Sequence, residues 1–177
     1  MVGGMVGGIV GGPGGLDKAA TPRQPVVMKP RSPRLAARAL IVHQDRLLLV
    51  NAYAGGISDL WCAPGGGVEV GASLPDNLVR EVREETGLAV AVGDPALVNE
   101  FHDPASGFHQ VDIYFRCTII GGTLSDDWQD PERVVHTRRL FPREELMSGR
   151  IRFKPDSLVE AAWGNSMLYD PLEPIVR

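Results

Sequence analysis

The stretch Arg80-Glu81-Val82-Arg83-Glu84-Glu85-Thr86-Gly87 packs three carboxylates and two guanidiniums into eight residues. On a helix turning about 100° per residue, Leu74, Leu78 and Val82 define an apolar stripe. On the same wheel Glu81, Glu84 and Glu85 span about 100° of arc on or beside that stripe, while Arg80 and Arg83 point further round. An ordinary amphipathic helix sets its glutamates opposite the stripe. Like charges four residues apart repel, and burial makes the cost worse. A divalent cation would relieve both. Three carboxylates, a backbone carbonyl and water suit Mg²⁺ or Mn²⁺, which prefer hard oxygen ligands. The alternative is a solvated charged helix held by pairs such as Arg80–Glu84. Just ahead lies Pro64-Gly65-Gly66-Gly67. Its glycines allow a backbone to approach a ligand closely, supply a carbonyl and admit phosphates.

The elements around these residues follow from pattern. Leu35 to His43 and Arg46 to Asn51 are expected strands of a hairpin turning at Gln44-Asp45. A Gly-containing loop, Ala54 to Asp59, leads on to the glycines. The carboxylate helix has Ser73 as N-cap, Pro75 in its first turn and Asp76 three residues after the cap. Gly87 stops it. Leu88 to Val92 and Leu97 to His102 are expected as short strands. Gln110 to Ile120 is the clearest strand, with Val111, Ile113, Phe115 and Cys117 alternating with polar residues. Asp126 to Glu132 is an acidic loop, Arg133 to Phe141 a further strand, and Pro142 to Met147 and Pro155 to Trp163 short helices. Helices interleaved with hairpins predict an α/β fold with a mixed sheet.

Composition excludes several classes. The chain has 177 residues, 44% hydrophobic and 23% charged. That is one domain with a core of its own. Lys+Arg 18 against Asp+Glu 22 gives a net charge of −4, which disfavours a nucleic-acid partner. No apolar stretch is long enough to cross a membrane. The two cysteines, Cys62 and Cys117, are expected as buried thiols in a reducing, cytoplasmic compartment. Residues 1–33 are expected to form a flexible tail, built from Gly-paired tetrads and then a Pro-containing basic stretch from Lys18 to Arg38. A translation start at Met28 is an alternative for residues 1–27. The folded domain is expected over 34–177.

Gly66 to Leu88 resembles the Nudix box, G-x5-E-x7-R-E-U-x-E-E-x-G-U, where U is bulky and apolar. Gly66 matches its first glycine, and Arg80, Glu81, Val82, Glu84, Glu85, Gly87 and Leu88 match its second half in register. Leu60 to Gly66 is similar to the family's usual approach to the box. The resemblance implies an α/β/α sandwich and a Mg²⁺-dependent hydrolase cleaving the diphosphate linkage of a nucleoside diphosphate derivative. It implies Glu81, Glu84 and Glu85 as metal ligands with the Gly66 carbonyl, and Arg80 orienting a glutamate of the cluster. For the general base, Glu84 comes first and Glu132 is the best candidate outside the box. One position departs: the box's first glutamate would fall at 72, where this chain has Ala72. Glu69, three residues earlier, is read as a separate acid and not as a displaced copy. The loss puts the orientation of Arg80 in question, and Ala72→Glu is expected to raise activity.

Gly65, Gly66, Gly67 and Trp128 are carried as substrate-binding candidates. Trp128 has two readings, stacking on a nucleobase or closing the edge of the core. Asp112 is expected either to line a pocket or to face water. His102 and His109 receive no role, and Cys62 lacks a basic neighbour that would activate it. The substrate stays open among sugar nucleotides such as ADP-ribose, nucleoside triphosphates and dinucleoside polyphosphates. The competing functions are a nucleotide-sensing module without turnover, favoured only by Ala72, and an isomerase of prenyl diphosphates, whose motif context is missing. Many relatives of such a protein are homodimers, although no interface is marked in the sequence.

Overall fold

The computed structural model describes residues 32–51, 53 and 57–176. Almost all of the expected tail therefore lies outside the described residues, as do positions 54–56 of the expected loop. Strands β1 (Arg34–His43) and β2 (Arg46–Asn51) form the hairpin, with Gln44 and Asp45 at positive φ in the turn. The short strand β3 (Gly65–Gly67) pairs antiparallel with β1. Helix α1 (Leu74–Thr86) follows, then β4 (Ala89–Asp103) and β5 (Phe108–Gly121). Strand β6 (Thr137–Pro142), helices α2 (Arg143–Met147) and α3 (Leu158–Trp163), and strand β7 (Leu168–Pro174) complete the order.

The seven strands run β6-β2-β1-β5-β4-β7, with β3 attached to β1. β1 pairs parallel with β5 and β4 with β7, while the other ladders are antiparallel. The sheet is mixed, as expected. Its strands are buried on both faces. Ala37, Ala39 and Ile41 of β1 pack with Leu48, Leu78 and Val82 against α1. Leu40, Leu47 and Leu49 pack with Tyr114, Leu146 and Leu158 against α2 and α3. This is a helix–sheet–helix sandwich. Leu78 and Val82 have no exposed surface, and burying each is worth about 1.5–3 kcal/mol.

Some boundaries differ from expectation. The two short strands after the helix are one strand, β4, which keeps pairing with β5 through register shifts around Pro95. Such bulges let an extended ladder absorb a proline and a glycine. β6 starts at Thr137, four residues later than expected. Asp130, buried at 5% exposure, ties residues 132–135 into a turn through the backbone N–H groups of Glu132, Val134 and Val135. Neither β3, made of glycines, nor the proline-containing edge strand β7 was expected. Arg34 and Arg38 belong to β1 and not to a solvated arm.

Candidate functional site

The cleft sits where β3 meets α1. The registers Ala37↔Gly66 and Arg38↔Gly65 hold β3 against the middle of the sheet. Gly65 adopts φ +130°, and a Cβ there would lie 2.2 Å from the Ala37 carbonyl oxygen. A Cβ at Gly66 would lie 2.5 Å from Glu81 Oε2. Only glycine lets the strand pass this close to the helix carboxylates.

Helix α1 is fixed at both ends. Ser73 Oγ accepts from the Asp76 N–H at 3.1 Å and donates to Asp76 Oδ2 at 2.6 Å. Gly87, at φ 76°, closes the C-terminus through its N–H to the Arg83 carbonyl. Along the helix, Glu81, Glu84 and Glu85 all face a cleft of about 450 Å³. Glu69, Asp130 and Glu132 also line it, against the guanidiniums of Arg34, Arg38 and Arg80. Six carboxylates thus face three arginines. Of the candidates read from the sequence, Arg80, Glu81, Glu84, Glu85, Glu132, Gly65, Gly66 and Gly67 come together here.

Arg80 bridges the acids. Its Nη1 donates to Glu84 Oε2 at 2.6 Å, and its Nη2 donates to Glu81 Oε1 at 2.7 Å and to Asn77 Oδ1 at 3.1 Å. Glu69 Oε1 stands 3.3 Å from Nη2. The arginine is therefore oriented without a carboxylate at position 72, and Glu69 lies beside it as a separate acid. Glu85 Oε2 accepts from the Gly65 N–H at 2.7 Å. Burial raises the Glu85 pKa to about 7 even though Arg38 and this bond favour its charge. Burial also raises Glu81, against the pull of Arg80.

Among the described residues, no three acid, histidine or cysteine side chains already converge into a metal cage. The donor set still suits a hard divalent ion. The bonds to Arg80 and Gly65 leave Glu81 Oε2, Glu84 Oε1 and Glu85 Oε1 outside them. Partly desolvated carboxylates gain most from such a charge.

Trp128 lies outside the cleft. Its indole N–H donates to the Glu84 carbonyl at 2.8 Å, and its ring rests on Gly87, where a Cβ would lie 2.8 Å away. Arg138 donates to the carbonyls of Glu85 and Trp128. Together they fasten the acidic loop to the end of the helix, closing the edge of the core. That loop presents Glu132 at the cleft.

A second chamber of about 220 Å³ adjoins the first, and Arg38 lines both. Phe101 and Phe108, with centroids 6.0 Å apart, form its aromatic wall. Asn99, Gln110 and Asp112 are buried in its lining, and Glu173 to Val176 border it. Asp112 accepts from the Gln110 amide at 2.6 Å and pairs with Arg38 Nε at 3.6 Å, so it does not face water. Burial works against the Arg38 charge, but Asp112 with Cys62, Tyr114 and Glu85 more than offsets it and raises its pKa. Burial pushes the Cys62 thiol up to about 11, which leaves it an unreactive wall. Arg38 and Asn77 were missed from sequence. The available signal was an arginine between Ala37 and Ala39 on an apolar strand, and an amide on the edge of an apolar helix stripe.

Comparison with known proteins gives the family. A model of the NUDIX domain matches residues 32–162. The chain belongs to the Nudix family. Its type is that of a Nudix pyrophosphohydrolase. An ADP-ribose pyrophosphatase of Methanocaldococcus jannaschii is 31% identical over 127 residues, covering 69% of this chain and 75% of the relative. A putative ADP-ribose pyrophosphatase of Bacillus subtilis is 28% identical over 51% of this chain, a stretch that spans only 44% of that relative. Among solved structures, a UDP-X diphosphatase superposes with a TM-score of 0.61 at 21% identity, covering 82% of this chain and 71% of its own. The Nudix box helix and the glycine strand are thus the two walls of the cleft, and the Nudix sandwich is the scaffold that sets them face to face.

Proposed function

We propose that this Nudix protein hydrolyses the diphosphate linkage of a nucleoside diphosphate derivative with Mg²⁺, Mn²⁺ serving in its place. A sugar nucleotide such as ADP-ribose is the first substrate class and a nucleoside triphosphate the second. The observation that carries the reading is the charge of the cleft. Six carboxylates against three arginines repel a polyanion unless cations intervene. Glu81, Glu84 and Glu85 would hold the ion, with the Gly66 carbonyl. Such an ion would supply charge to neutralise diphosphate oxygens and to polarise the attacking water.

The chain's own residues do the remaining work. Arg34 and Arg38, at the β1 side of the cleft, offer guanidiniums to the phosphates. Glu84 is the first candidate to take the proton from water, and Glu132, on its anchored loop, the second. Arg80 orients Glu81 and Glu84. The aromatic chamber beside Arg38 takes the nucleoside, its flat rings matched to a base. The names of the archaeal and Bacillus relatives support ADP-ribose as the first compound to try. The test is nucleotide release from a panel of diphosphate compounds with Mg²⁺ and with EDTA. Binding without release from any of them would favour a sensing module instead.

A further inference from the structure

We propose that Asn77 is a positioning residue that does, from inside the helix, what the missing carboxylate at position 72 would do from the loop. The inference rests on the hydrolase reading above. Asn77 is 2% exposed, and asparagine is a poor residue for a helix interior. A buried amide is tolerated when its groups are bonded. Here one amide makes three bonds. Its Oδ1 accepts from the Glu69 N–H at 3.2 Å and from Arg80 Nη2 at 3.1 Å. Its Nδ2 donates to the Gly67 carbonyl at 3.2 Å. The flipped amide would set its NH₂ against two donors, so the network allows one orientation only.

Those three partners lie on the three parts the cleft must keep in register. Gly67 ends the glycine strand, Glu69 begins the turn into the helix, and Arg80 holds Glu81 and Glu84. The box pattern leaves position 77 unrestricted. Ala72 is exposed and contributes nothing to Arg80. In this chain a neutral oxygen on Arg80 comes from the helix itself, from Asn77 Oδ1. Glu69, whose side chain is 70% exposed, adds charge but little restraint.

A double-mutant cycle tests this. Asn77→Ala, Ala72→Glu and the double variant are compared with wild type by thermal melting, by Mn²⁺ binding, and by kcat and KM on the nucleotide that wild type turns over, ADP-ribose first. In Asn77→Ala, kcat should fall about tenfold or more while KM stays within about threefold, because loosened positioning acts on the reacting geometry. Mn²⁺ binding should weaken about tenfold or more, as loss of an outer-shell partner commonly costs metal affinity by such factors. Ala72→Glu should change wild type by less than about threefold, yet recover most of both losses in the double variant. Asn77→Ser, which keeps a polar group too short to reach Arg80, takes the place of Asn77→Ala if that protein does not fold. A lower melting temperature with unchanged Mn²⁺ binding and kcat overturns the proposal, as does a loss that Ala72→Glu leaves unrepaired. If wild type turns over nothing, the hydrolase reading fails, and the Mn²⁺ affinities of the four proteins still decide the role of Asn77.

Discussion

Glu85 Oε2 accepts a hydrogen bond from the backbone N–H of Gly65 at 2.7 Å, joining the carboxylate helix to the glycine strand across twenty residues of sequence. The contact makes one ionisable group both a structural strut and a candidate metal ligand. Its burial has a consequence for pH. In the fold Glu85 releases its proton at about 7, against 4.5 when exposed. Between those values the folded chain holds a proton that the unfolded chain has lost. Stability attributable to Glu85 is therefore greatest at low pH, falls as pH rises from about 4.5 to 7, and stays lowered above that. The loss amounts to about 3 kcal/mol. Urea unfolding in EDTA at pH 5 to 8 should show wild type losing ground to Glu85→Gln over this range. Parallel curves for the two proteins would contradict it. Mn²⁺ binding should also strengthen up to about pH 7 and release a proton below it.

Arg38 and Asp112 are mutually dependent. Asp112 is 3% exposed, and Arg38 is its counter-charge. Arg38→Met leaves that carboxylate buried without its cation and should cost about 3–5 kcal/mol in urea unfolding. Asp112→Asn added to it should return a large part, and a destabilisation no smaller in the double variant would refute the pairing.

Trp128 and a nucleobase give opposite signatures. Trp128→Phe removes the N–H bonded to the Glu84 carbonyl while keeping a ring on Gly87. It should cost about 1 kcal/mol of stability and leave KM within about twofold. A tenfold rise in KM with unchanged stability would return Trp128 to the substrate.

The aromatic chamber makes a separate prediction. Phe108→Ala should raise KM for nucleotide substrates by about tenfold, through lost stacking area, with kcat little changed. Equal effects on kcat and on a substrate lacking a base would place the nucleoside elsewhere.

Much of this molecule was legible from residue pattern, for physical reasons. Ser73, Asp76 and Gly87 are local signals, and each cap forms as read. The carboxylate cluster showed because helical spacing sets side-chain direction. What stayed hidden depends on partners far along the chain. β3 is three glycines, with no side chains to betray a strand. Its pairing comes from Ala36, Ala37 and Arg38, roughly thirty residues earlier. β7 carries two prolines, a pattern tolerated because it is an edge strand with β4 on one side. Arg38 reads as surface charge until β3 and β5 enclose it. Asn77 looks ordinary until Gly67 and Arg80 meet it. Glu69, read as a separate acid and not as a copy of the one missing at position 72, has its carboxylate beside Arg80 in space.

In the proposed metal-dependent hydrolysis, Glu84 carries a charge the reaction needs. The most direct measurement is nucleotide and phosphate release from ADP-ribose, other sugar nucleotides, dinucleoside polyphosphates and nucleoside triphosphates. Wild type and Glu84→Gln are each assayed with Mg²⁺, Mn²⁺ or EDTA. Glu84→Gln keeps the side chain's shape and should melt within a few degrees of wild type. Release is expected from wild type with either metal and none in EDTA, with a loss of about 100-fold or more in Glu84→Gln. Release that persists in EDTA, or a folded Glu84→Gln as active as wild type, would contradict it.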